Sequence, residues 1–589
     1  MSVGMRHVAL FWVLVVGWGV GCAEQPQQAA APQGEVDRVD TAPPDDELSL
    51  RTANFVGVDA CADCHAERVE SYKRTNHYAT IRVPEPGNVV GDFDPPGNIL
   101  RTRDPNLWFE MTRDADGYYQ TAVTRDAEGN EHRRTERVAY IVDSGKLNET
   151  YLYWQDDALF QLPVTHMTAW DSWANSPGYT DGRAKFTRAI VPRCLECHAT
   201  WFEHVPGTDN RYVKGRELLG ISCEKCHGPG SAHVIYHQRH PDLTESHHIV
   251  RPSEMTRKQE NDQCAQCHGA VGEHLKPPFT YLPGDPLEDF LKPAEGRAAA
   301  TFVHTANQIQ HLSESPCYQQ SGTLNCISCH DPHTPEPHDR AAYASRCLNC
   351  HQPPDCGMHA QLPEPVRGDC IDCHMPASRD ITLQWFTAED DFVHPTILTD
   401  HHIAVHPEAS ARHLMQWHLS RDDEASQRIG RTMARTLAED KRALARRLYD
   451  EGRQEASLET WREVQRLLGD DDEASRRIDA IRAALVAERT RTETTIDAQL
   501  LVTRGHELGA AGGMAGAVAL FRGAIELRDD LAAGHQNLGN ALAELGDVPG
   551  AVAAMRRAVE LEPGYAPNWF NLGNLYAADG RFERAAEAF

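Results

Sequence analysis

Basic charge is scarce in this chain: 58 Lys and Arg stand against 86 Asp and Glu, a formal net charge of −28. That removes the electrostatic case for nucleic-acid binding and suits an acidic surface that docks on basic redox partners. Long apolar runs are missing too. The only one, Val8 to Val20, is too short to stay in a bilayer as a spanning helix, and no later segment has the length or apolarity. Aromatics are absent from Ala23 to Leu48, where Gln, Ala, Pro and acidic residues dominate. Such a stretch cannot bury enough apolar surface to fold, so residues 23–50 read as a tether. At 589 residues, several units are expected.

What is present begins with an export signal over residues 1–22: Arg6, the apolar run, then Gly21-Cys22. A small residue before a lone cysteine resembles a bacterial lipobox, which makes Cys22 a lipidation candidate. Plain cleavage, with Cys22 incidental, is the alternative. The expected location is periplasm or cell envelope, with membrane attachment by lipid anchor only.

Seventeen cysteines are informative through their spacing. CxxCH occurs seven times, numbered here in chain order: Cys61-Cys64-His65, Cys194-Cys197-His198, Cys223-Cys226-His227, Cys264-Cys267-His268, Cys326-Cys329-His330, Cys347-Cys350-His351 and Cys370-Cys373-His374. Two thiols three residues apart reach the two vinyl groups of one haem, and the adjacent imidazole binds its iron from the proximal side. Zinc knuckles would pair their ligands without a His after every second Cys, and a redox CxxC would occur once beside a βαβ unit. The pattern therefore predicts seven covalently attached haem c groups. Export agrees with this, because c-type haem is attached outside the cytoplasm. With fourteen cysteines in the motifs and Cys22 at the export signal, Cys317 and Cys356 are left over. An oxidising compartment makes a disulfide between them the expectation, against two unrelated free thiols.

Distal ligands must come from the other histidines. His77 lies on an expected helix after motif one, His233 in CHGPGSAH and His333 in CHDPH, too near His330 to serve its own haem. His311 precedes Cys317, and His394 and His401 follow the last motif. His402 competes with His401, while His166, His274 and His304 stay open.

Residues 51–406 read as an irregular, mainly helical multihaem domain. Within it, about residues 95–165 form a small β-rich insertion: Trp108-Phe109, Tyr118-Tyr119, Tyr140-Ile141 and Tyr151 to Trp154 recur between Asp116-Gly117 and Gly129-Asn130 turn signals. From residue 407 Ala, Arg, Glu and Leu take over with helical periodicity. A 34-residue period aligns Gly505, Gly539 and Gly573, then Ala517, Ala551 and Ala585, then Phe521, Met555 and Phe589. These are tetratricopeptide repeats, placed over 498–589, with degenerate members over 407–497. Phe589 falls inside the second helix of a repeat, so a truncated end is expected there. The fold class is thus multidomain, with the haem domain followed by an all-α solenoid that binds a protein partner.

With these residues in view, the chain resembles the tetratricopeptide-containing multihaem cytochromes of bacteria, relatives of the tetrahaem cytochrome and hydroxylamine oxidoreductase group. The resemblance covers most of residues 54–406 and rests on VDACADCH, YLYWQDDALFQLPV, SWANSPGY, IVPRCLECHATW, GISCEKCHGPGSAH, NCISCHDPH, DCIDCHMP and TDHHI. It implies distal roles for His233, His333 and His401. Ser144 to Thr150, SGKLNET, departs from the related loop, so no binding role transfers to it. The family holds both carriers and enzymes. An electron carrier is the leading expectation; a multihaem oxidoreductase acting on a small nitrogen or sulfur compound at one open haem is the alternative, and an assembly scaffold wired by haems a third. No catalytic residue is assigned.

Overall fold

A computed structural model describes residues 44–126, 128–168, 170–179, 181–269, 272–292, 307–337, 339–380, 396–510 and 513–589. The expectations placed on Cys22, the signal, most of the tether, His304 and His394 lie outside these residues. Among the described residues, no helix is long and apolar enough to cross a membrane.

The first helix among the described residues is Val58–Tyr72, and two antiparallel sheets follow. The four-stranded sheet is a meander of Ile99–Arg101, Leu107–Arg113, Tyr118–Arg125 and Glu131–Arg137. The six-stranded sheet runs Ile81–Arg82, Tyr140–Val142, Asn148–Gln155, Ala158–Met167 and Arg188–Ala189, with Ser172–Asn175 also paired to Ala158–Met167. Strands therefore extend from 81 to 189, beyond the 95–165 anticipated. The excess consists mostly of very short strands whose partners are distant in sequence, which alternation alone does not reveal.

The aromatic positions explain why the sheets stay together. Phe93, Phe109, Tyr118, Tyr151, Tyr153, Trp173 and Phe186 share one buried core with Met111, Leu162 and Val164. Gln120, fully buried, donates from Nε2 to the Val164 carbonyl at 2.8 Å and so links one sheet to the other. A second core, with Ile81, Tyr140, Leu152, Leu159, Leu195, Phe202 and Tyr212, joins the six-stranded sheet to the helix Pro192–His198 that carries motif two. The described residues from Pro192 to His374 are irregular, with short helices that bear the remaining motifs.

Among the described residues, nine helices follow from Pro407–Leu419 to Phe582–Ala588. In the repeats, the aligned small residues mark close approaches. A Cβ on Gly505 would meet the Phe521 ring at 2.4 Å, one on Gly539 would meet the Ala551 carbonyl and Met555 at 3.2 Å, and one on Gly573 would meet the Phe589 ring at 2.8 Å. Each glycine thus lets the second helix of its own repeat pack against the first. The boundary drawn at 497/498 does not separate two elements: one helix, Asp472–Ala510, crosses it. No Gly or Pro interrupts the chain between Gly469 and Gly505, so nothing ends the helix earlier.

Candidate haem-binding centre

Helical pitch accounts for the motif spacing. Positions i and i+3 share a helix face, so both thiols of a motif point the same way. The helices Pro192–His198, Cys223–His227, Arg257–His268 and Cys370–His374 each end on the motif histidine. In Val58–Tyr72 the helix breaks at His65 itself, with φ −119° and ψ 38°.

Iron ligation needs a neutral imidazole whose second nitrogen is fixed by a partner. Several described histidines meet this test through Nδ1. Nδ1 of His227 donates to the Val250 carbonyl at 2.8 Å, Nδ1 of His374 to Ala404 at 2.9 Å, Nδ1 of His233 to His247 at 2.8 Å and Nδ1 of His401 to Thr399 at 3.1 Å. A carbonyl can only accept, so these rings carry their proton on Nδ1 and present Nε2 as a lone pair. Carboxylates play the same part for His330 (Glu336, 3.0 Å), His311 (Asp400, 2.8 Å) and His333 (Asp331, 3.3 Å). His274 and His406 are held the opposite way, through Nε2, by Glu196 at 2.7 Å and the His402 carbonyl at 2.8 Å. Nε2 of His166 lies 3.5 Å from Asp171, and its ring packs on Trp173 inside the sheets.

Metal–imidazole bonds of about 2 Å and a ring radius of about 1.1 Å put two trans imidazoles about 6 Å apart, centroid to centroid. Five described histidine pairs have about this separation; His237–His247 and His247–His248, both at 6.2 Å, contain no motif histidine, and the other three each do. His227 and His333 are 6.0 Å apart and stacked at 29°, His330 and His401 are 6.1 Å apart and stacked at 25°, and His77 and His268 are 6.4 Å apart at 63°. Burial, then the neighbouring His268, pushes His77 down to about 4; burial, then His330, does the same to His401. Both rings are therefore neutral at ordinary pH, as ligation requires. His233 lies in electrostatic range of His65. These residues fit a bis-histidine haem site. The candidate rings are exchanged between motifs: His77 follows motif one but faces His268 of motif four, and His333 follows motif five but faces His227 of motif three.

The motifs also touch one another. Cys61 and Cys223 are within hydrogen-bonding reach, as are Cys197 and Cys267, Cys264 and Cys326, and Cys347 and Cys370. Gln263 donates to the Cys226 carbonyl, Cys267 Sγ to the Glu196 carbonyl at 3.7 Å, and Cys347 lies in electrostatic range of Cys329. Motifs one, three, four and five are thus linked in turn, with motif two beside motif four, while motif six contacts motif seven and lies in electrostatic range of motif five.

Cys317 and Cys356 are free thiols in the structure, which corrects the disulfide expected between them. Each has a motif thiol in electrostatic range instead, Cys317 that of Cys350 and Cys356 that of Cys373. Counting leftover cysteines pairs them by elimination, whereas the fold sets them beside different motifs.

Three supporting residues escaped the sequence reading. Glu224, buried inside motif three, accepts from the backbone N–H of Val56, Gly57 and Gly230 at 2.8 Å each, and so draws the start of motif one onto motif three. Arg193, also buried, donates to the Gln266 carbonyl at 2.6 Å and to Cys197 Sγ at 3.4 Å, bridging motifs two and four. Glu336 orients His330. The charged residue within CEKCH and the one just before CLECH were the only signals available.

Residues 159–228, which include motifs two and three, match the family described as cytochrome c554 and c-prime, and residues 532–565 match the tetratricopeptide repeat family. No curated protein matches the chain. Among solved structures, the second tetratricopeptide domain of Spaghetti (RPAP3) bound to an HSP90 peptide is similar at 18% identity, covering 16% of this chain and 90% of that one, with a TM-score of 0.16. YrrB, a tetratricopeptide protein with an unusual peptide-binding site, is similar at 20% identity over 24% of this chain and 78% of its own, with a TM-score of 0.15. MamA from Desulfovibrio magneticus RS-1 is similar at 20% identity over 26% of this chain and 90% of its own, also with a TM-score of 0.15. The two family matches mark a chain that combines a c-type cytochrome segment with a tetratricopeptide repeat, and they imply haem c as cofactor.

Proposed function

We propose that this chain is an exported heptahaem c-type cytochrome whose task is electron transfer, with the repeats as an arm for a protein partner. The observation that carries this reading is the close setting of the motifs: one, three, four and five are linked in turn, two lies beside four, six contacts seven, and six lies in electrostatic range of five. When bound, haem supplies a one-electron iron couple at each motif. The chain's own residues hold the couples close together: Glu224 fastens motif one to three, Arg193 fastens motif two to four, and the exchanged histidines tie motifs that are distant in sequence. At the three motifs with paired histidines, both held to one iron would leave no open coordination site for a substrate, which favours transfer over catalysis there. Cys22, as a lipidated residue, tethers the protein to the membrane. Cys22→Ala protein is then expected to lose both palmitate labelling and membrane association.

A second reading, an oxidoreductase acting on a small nitrogen or sulfur compound, is favoured at one place. Among the described residues no candidate distal ring packs on His198, His351 or His374, and of these three only His198, in motif two, has a buried ring nitrogen without a hydrogen bond, its Nδ1 3.9 Å from Asp143. Low-temperature electron paramagnetic resonance of the oxidised protein and carbon monoxide binding to the reduced protein separate the two. Predominantly low-spin signals with at most one site open to carbon monoxide support the carrier; two or more high-spin haems make it an enzyme.

A further inference from the structure

Asp369, Asp372 and His413 meet where the helix Cys370–His374 of motif seven packs against Pro407–Leu419, the first helix of the arm. Nε2 of His413 lies 3.4 Å from an Asp369 oxygen, and Nδ1 lies 3.5 Å from an Asp372 oxygen. Both gaps are wide for a charged hydrogen bond, which normally closes to about 2.7–2.9 Å. His413 Nε2 is nevertheless buried and makes no hydrogen bond. A buried donor or acceptor without a partner is uncommon and calls for an explanation.

The spacing suits ligands rather than an ion pair. With metal–ligand bonds of about 2.0–2.1 Å, the edge of a tetrahedral site is about 3.4 Å long, the separation of His413 Nε2 from Asp369. One imidazole gives one nitrogen to an ion, so the Nδ1–Asp372 distance is not a second edge. One oxygen of each aspartate and one imidazole nitrogen all fall within 4.8 Å of one another. Arg340 binds the other Asp372 oxygen at 2.6 Å, which orients that carboxylate as a supporting partner orients a metal ligand. We propose that Asp369, Asp372 and His413 bind one divalent cation of the zinc class, with water at the fourth position, and thereby staple motif seven to the arm. The imidazole selects a borderline cation over calcium or magnesium, which take all-oxygen sites.

The test uses the full holoprotein, treated with chelator and then dialysed against zinc. Wild type should retain one zinc per chain more than His413→Ala and one more than Asp369→Asn, with haem content and visible spectrum unchanged in all three. Other surface histidines contribute equally to each protein and cancel. Zinc should also slow proteolysis between Leu419 and Glu424 several-fold in wild type and not in the variants. Equal zinc in the three proteins overturns the site, as does loss in His413→Ala alone with Asp369→Asn unaffected. A zinc difference without any change in proteolysis overturns the staple.

Discussion

His333 stacks 6.0 Å from His227, although it stands three residues after the histidine of a different motif. A bis-histidine iron between them would join two parts of the chain that no sheet or long helix connects. The same exchange places His401 against His330 and His77 against His268. Replacing any one of the three distal candidates should therefore change one haem only. His333→Ala, His401→Ala and His77→Ala are each expected to convert one low-spin signal to high-spin in the paramagnetic resonance spectrum. His274→Ala, whose Nε2 is held by Glu196, should leave the spectrum unchanged.

Glu336 gives a second prediction. Nδ1 of His330 donates to its carboxylate, whereas Nδ1 of His227 and of His374 donates to a neutral carbonyl. A carboxylate partner makes the imidazole more electron-rich and stabilises the ferric state. Glu336→Gln should raise the reduction potential of one haem and leave the others in place. A spectroelectrochemical titration with no shifted component would count against this role.

Much of this was legible before any coordinates, for a physical reason. Haem attachment is local chemistry, with both thiols and the proximal histidine inside five residues, so spacing suffices to find it. The repeat period is equally local, because Gly539 must meet Met555 within one helical hairpin. Distal pairing was not legible, since His77 reaches His268 only through the packing of distant loops. Sequence neighbourhood set His333 apart from its own motif but did not say which other motif it faces. The Cys317–Cys356 disulfide failed for a related reason: elimination says which thiols are left over and nothing about where they lie.

Those two thiols give a third prediction. Cys317 and Cys356 are both expected to react with an alkylating agent in the oxidised holoprotein and to appear as separate labelled peptides. Recovery of a single crosslinked peptide would refute the arrangement described here.

In the arm, a Cβ at Gly539 would press on the Ala551 carbonyl and Met555, whereas one at Gly564 would meet nothing within 4 Å. Gly539→Val should destabilise the repeats by about 1–3 kcal/mol through overpacking. Gly564→Ala, measured in the same helical melt, should be close to neutral.

Acid should loosen the first helix of the arm. Burial would raise the Glu408 carboxyl, but Lys441 at 2.7 Å and Arg412 at 3.0 Å hold it below its usual 4.5. A depressed folded-state value means that the stabilisation is present above pH 4.5 and is lost as pH falls through that lower value. Wild type should lose thermal stability in that window, and Glu408→Gln should show a flatter dependence.

The account depends most on every motif carrying its cofactor. The intact mass of the exported, mature holoprotein measures this directly, with any lipid accounted for. The result should be the polypeptide plus seven haems, falling to six attached covalently when Cys197→Ser weakens motif two. A wild-type mass with fewer than six haems would contradict the reading of the motif series as one electron-transfer path.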